Sequence, residues 1–81
     1  DMITLIENNN YLDPPNSALI DNYLDTNLPL QYGMHLEGYG QSGCEFTAGE
    51  AIPNNKTISA SKKFFSTGSS YCSLRYEIWI N

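Results

Sequence analysis

The sequence predicts a β-dominated α+β fold: a mostly antiparallel sheet of about five strands with one short helix near residues 17–25. Three observations carry this expectation. From Leu30 onward the apolar residues recur at every second position, the period of a strand with one buried face. Breaks rich in Gly, Asn and Ser separate these runs at hairpin-length intervals. Only one segment shows helical spacing. A small all-β sandwich or barrel is the alternative arrangement of the same strands.

Taken in order, residues 2–7 are apolar and β-branched and read as a first strand, ended by Asn8-Asn9-Asn10. Tyr11-Leu12-Asp13-Pro14-Pro15 reads as a rigid connection. Asn16 or Ser17 then caps a helix in which Leu19, Ile20, Tyr23 and Leu24 share one face and Asp21, Asn22 and Asp25 the other. Asn27 and Pro29 stop it. At two to three turns it requires a sheet to pack on.

Tyr32, Met34 and Leu36 alternate with Gly33, His35 and Glu37, and Cys44, Phe46 and Ala48 alternate with Glu45, Thr47 and Gly49. A further strand fits residues 56–65. The clearest run is the last: Cys72, Leu74, Tyr76, Ile78 and Ile80 against Ser73, Arg75, Glu77 and Trp79. The connections are residues 38–43, 52–55 and 66–70.

Eighty-one residues form a single domain, 1–81. A chain this short buries only about 60–65% of its unfolded surface, so a covalent staple matters. Cys44 and Cys72 supply one. Each lies in the inward-facing set of its strand, so the two can reach the Cα separation of about 4.4–6.8 Å that a disulfide requires. Closing a loop of about 29 residues stabilises the fold by roughly 3–4 kcal/mol in the chain-entropy model. A bridge in a small chain points to an oxidising compartment, so the expected location is secreted and extracellular. The opening Asp1-Met2 reads as a processed mature end or an excised fragment, which removes a missing signal peptide as an objection.

Charged residues are 16% of the chain, below the roughly 25% usual for soluble domains. Uncharged polar residues and tyrosines take their place. The formal charge is −5, and the cations are Lys56, Lys62, Lys63 and Arg75. Four cations among nine acids argue against general nucleic-acid binding and against recruitment to an anionic membrane. No apolar run reaches the roughly 18–20 residues of a membrane span. Two cysteines and the lone His35 fall one ligand short of a zinc site, so neither metal nor cofactor is expected.

Chemistry has one candidate cluster. His35, Glu37, Glu45, Arg75 and Glu77 all fall on outward-facing strand positions, with Tyr39 beside them. A carboxylate base, an imidazole acid and a guanidinium are the parts needed to cleave RNA through its 2′-hydroxyl without a metal. In residue types and in a helix beside an antiparallel sheet, this resembles the small secreted ribonucleases of the T1 type. Those enzymes use a second histidine that this chain lacks. Cross-strand charge pairing explains the same residues without catalysis. No Gly-x-Ser-x-Gly elbow is present, and residues 38–43 lack the lysine of a phosphate-binding loop.

Asn54-Asn55-Lys56-Thr57-Ile58-Ser59 resembles the calcium-binding Asn-Asn-x-x-Ser-Ser stretch of βγ-crystallin domains, with Ile58 at the first serine. Asn55-Lys56-Thr57 is also an N-glycosylation sequon, usable on a eukaryotic secretory route.

Binding has a stronger basis. Tyr39, Tyr71 and Trp79 fall at a loop tip or on the outward face, and such aromatics bury much area at little entropic cost. The leading expectation is therefore a secreted interaction protein without catalysis, of toxin-subunit, effector, inhibitor or lectin-like type. Its partner is another protein, a glycan, or a second chain of the same processed precursor. The small ribonuclease is the alternative.

Overall fold

The structure, a computed structural model, describes residues 2–68 and 70–81. Its elements run α1 (Met2–Asn8), α2 (Ser17–Asn27), β1 (Tyr32–Gly40), β2 (Phe46–Gly49), β3 (Ser59–Thr67) and β4 (Ser70–Ile80). The α+β, strand-dominated class is as expected, with four strands where about five were predicted.

The difference lies at the start of the chain. Residues 2–7 are not a strand: they form most of α1. Ile3 and Ile6, three positions apart, are buried while Thr4 and Leu5 between them are exposed, which is a helical pattern and not an alternating one. The asparagine run that reads as a strand end is the helix stop. Asn10 takes a left-handed φ of 63°, its N–H donates to the Glu7 carbonyl at 2.9 Å, and the Tyr11 N–H donates to the Ile6 carbonyl at 3.3 Å. This is the Schellman arrangement, with asparagine in place of the usual glycine.

The second helix keeps its expected start and runs two residues further. The Asn16 side-chain oxygen accepts from the Leu19 N–H at 3.1 Å, and Ile20 and Leu24, one turn apart, are buried. Leu28 N–H closes on the Leu24 carbonyl, and Pro29 follows. Tyr11 and Tyr23 meet edge-to-face at 6.0 Å and join the two helical segments.

The sheet is antiparallel throughout, in the order β2-β1-β4-β3. Register fixes the two faces, because directly paired residues share a side. Met34 lies opposite Ile78, Leu36 opposite Tyr76 and Ala48, and Phe65 opposite Cys72. These belong to the inner face, where Met34, Leu36, Ala48, Phe65, Cys72 and Leu74 pack with Ile3, Ile6, Leu12, Ile20 and Leu24.

The Cys44–Cys72 disulfide sits at one end of this core, with a Cα–Cα distance of 5.5 Å and both residues buried. Cys44 lies just before β2, in a turn closed by its N–H on the Gln41 carbonyl. Cys72 pairs with Gly40 across the ladder. The bridge therefore ties the β1–β2 turn to the neighbouring strand β4.

One connection departs from the hairpin pattern. β2 and β3 are consecutive in the chain yet occupy opposite edges of the sheet. Residues 50–58 must therefore cross its full width. Both helices bury their apolar residues with the inner face, while on the outer face Trp79 is 3% and Glu77 6% exposed. The crossover starts against this outer face. His35 Nδ1, 2.8 Å from the Glu50 carbonyl oxygen, pins its beginning.

Candidate functional site

The outer face is built from alternate positions of all four strands, with Thr47 and Gly49 of β2 opposite Glu37 and His35 at its edge. β1 contributes Gly33, His35, Glu37 and Tyr39; β4 contributes Tyr71, Ser73, Arg75, Glu77 and Trp79; β3 contributes Ala60, Lys62, Phe64 and Ser66. The ladders align them in rows: Gly33 with Trp79; His35 with Glu77 and Ala60; Glu37 with Arg75 and Lys62; Tyr39 with Ser73 and Phe64. Tyr71 follows, opposite Ser66.

The lowest row is covered. Trp79 lies over Gly33 so closely that a Cβ on that glycine would stand 2.2 Å from the indole Nε1. Its indole N–H donates to Asn81 Oδ1 at 3.2 Å. Trp79 projects from the outward face, as its position predicts, but at 3% exposure it is buried and not displayed there.

The two middle rows are charged. His35 Nε2 is 3.1 Å from Glu37 Oε1, while Nδ1 faces the Glu50 carbonyl. Both facing oxygens accept, so this arrangement is fully hydrogen-bonded when the ring carries two protons. Arg75 Nε stands 3.4 Å from Glu77 Oε1, an oxygen that accepts no hydrogen bond among the described residues. His35, Glu37, Arg75 and Glu77 are thus brought together. Glu45 is not held with them: it precedes β2, in the exposed link from Cys44.

The upper end is bare and aromatic. Tyr39 is 39% exposed, Phe64 62% and Tyr71 66%. The Phe64 and Tyr71 rings stack at 5.5 Å with 19° between their planes. Ser73 and Ser66, the small residues paired with them, leave the rings standing above the sheet. Tyr39 belongs to β1 itself and not to a loop tip.

Phe64 is the member that sequence reasoning missed. Lys62-Lys63-Phe64-Phe65 reads as a strand end with solvated lysines. Its signal was the period of two, which sends Phe65 to the core and so obliges Phe64 to face solvent. Asn55, Lys56 and Thr57 are all exposed in the crossover. Among the described residues, no group of three or more His, Cys, Asp or Glu side chains is placed to hold a metal ion, and no helix is long and apolar enough to cross a membrane.

No protein-family model matches this chain, and no curated protein or solved structure matches it either.

Proposed function

We propose that this chain is a disulfide-stapled extracellular module that binds another protein or a glycan, without catalysis, through the bare half of its outer sheet face. One observation carries the reading. Tyr39, Phe64 and Tyr71, from three different strands, present an exposed aromatic group on a rigid, covalently braced sheet. Solvated aromatic clusters of this kind are costly to display and are the residues that dominate binding energy when covered. The stacked pair suits a sugar ring or an apolar side chain laid along its edge, and Arg75 in the adjacent row offers a polar rim. The buried bridge supports an oxidising compartment. Toxin subunits, effectors, inhibitors and lectin-like modules share this economy of size, and a second chain of one precursor is a partner of the same kind.

The test is capture of a partner by the oxidised chain, followed by affinity measurement with variants. Tyr71→Ala and Tyr39→Ala weaken binding about tenfold or more, the loss of a typical aromatic anchor. Leu30→Ala, also at an exposed residue but outside this group, leaves it unchanged. Equal binding by all four proteins refutes the surface.

The His35–Glu37 contact supports the second reading, a metal-independent ribonuclease using His35, Glu37 and Arg75. An imidazole oriented by a carboxylate at one nitrogen and a carbonyl at the other is the kind of group that serves such cleavage as acid or base. Against it, the His35 side chain is only 12% exposed and Glu45 stands apart. RNA degradation by the oxidised chain, abolished in His35→Ala, is the supporting result; no cleavage by the parent removes this reading.

A further inference from the structure

We infer that the free edge of β3 is a strand-addition site for an extended, acidic segment of another protein. This surface meets the aromatic face at Phe64 and Tyr71 only, and the inference stands without that face. β3 is nine residues long and pairs with β4 on one side only. An antiparallel strand paired on one side turns the N–H and C=O of every second residue outward, a template for a further strand. Among the described residues, no turn or loop backbone hydrogen bond reaches residues 59–67. Ser59 to Lys62 are exposed, so water and a partner have access to the edge.

Charge selects the occupant. β3 carries two of the four cations of a chain with net charge −5, and no acid. Lys63 Nζ is held by Glu7 of α1 at 2.6 Å, whereas Lys62 makes no ion pair among the described residues. Lysines on an edge oppose pairing with an identical strand. Antiparallel self-pairing about the strand midpoint would crowd the Lys62-Lys63 pair of one copy beside that of the next, and Glu7 neutralises only Lys63 in each. A foreign strand with a carboxylate opposite Lys62 meets attraction instead, and the main-chain bonds are the same for both. Beyond Phe64 the edge meets a shallow hollow of about 400 Å³ that Glu7 and Asp13 line together with Phe65 and Tyr71, so the carboxylate of the occupant belongs opposite Lys62 and not further along β3.

The experiment uses two end-blocked nonapeptides, one alternating Glu with Val and one alternating Lys with Val, titrated into the oxidised chain. Binding and residue-resolved amide exchange are measured. The Glu peptide binds, more weakly as salt rises, and slows exchange at β3 amides and not at β2. Lys62→Glu, a fully solvated change whose fold is checked by circular dichroism, weakens it about fivefold, the weight of one exposed charge pair. The inference is overturned if neither peptide binds, if both bind alike, or if protection falls outside β3. Tyr39→Ala leaves this binding intact, which separates its failure from failure of the aromatic surface.

Discussion

Trp79 and Gly33 show how one side chain decides what a face of the sheet is for. The indole occupies the space where any side chain at position 33 would stand, and it is nearly sealed from solvent. Gly33→Ala therefore forces the ring to move. We expect a loss of about 1–3 kcal/mol in urea unfolding, the usual cost of overpacking. A change within experimental error would show that the ring is free to shift. Trp79 is also the only tryptophan. Its emission should be blue-shifted and resistant to iodide; a red-shifted, readily quenched signal would mean that the ring is not buried. The sequence shows that Trp79 faces outward, because strand alternation is local. It does not show the burial, because that depends on what lies over the face. Phe64 is the converse case: two adjacent phenylalanines in a strand cannot share a face, so one had to point outward, and its 62% exposure is again a matter of cover that the alternation does not record.

At the scale of elements, α1 is where local propensity and tertiary docking part company. Its β-branched residues favour a strand. The sheet needs a cover for Leu74 and Phe65, and a helix placing Ile3 and Ile6 on one side supplies it. Ile6→Ala should cost about 2–5 kcal/mol, as for a core residue, while the half-exposed Leu5→Ala should cost under about 0.5 kcal/mol. Equal costs, read by denaturation, would put α1 outside the core. Its stop is testable too. Asn10→Gly at the left-handed position should be neutral or stabilising by a few tenths of a kcal/mol, and a clear loss would argue against the Schellman cap. α2, by contrast, was legible in full outline, since its cap, its buried stripe and its proline stop are all local. β4 was legible as a strand but not in its burial: of its five same-face residues Cys72 and Leu74 are buried, Ile80 is 65% exposed, and Glu77 and Trp79 on the other face are buried instead. The sheet order was not legible, because nothing local in β2 records which strand becomes its neighbour.

For the whole molecule, the class of fold followed from periodicity, which is averaged over many residues and tolerates local error; the covalent staple is as expected, although Cys44 reaches it from the turn before β2 and not from a strand. The candidate surface was half legible. Tyr39 and Tyr71 are bare, Trp79 is covered, and Phe64 joins them only once β3 and β4 are paired. The disulfide braces the end of the sheet that displays these rings, joining the β1–β2 turn to the strand that carries Tyr71. Removing it with Cys44→Ala/Cys72→Ala should cost about 3–4 kcal/mol of stability. Extracellular residence and the binding role both lean on that link between two strands. The most direct test is the intact mass of the native chain, isolated without reductant and treated with an alkylating agent before and after reduction. The account predicts no alkyl group before reduction and two after; two groups taken up by the unreduced protein would contradict it.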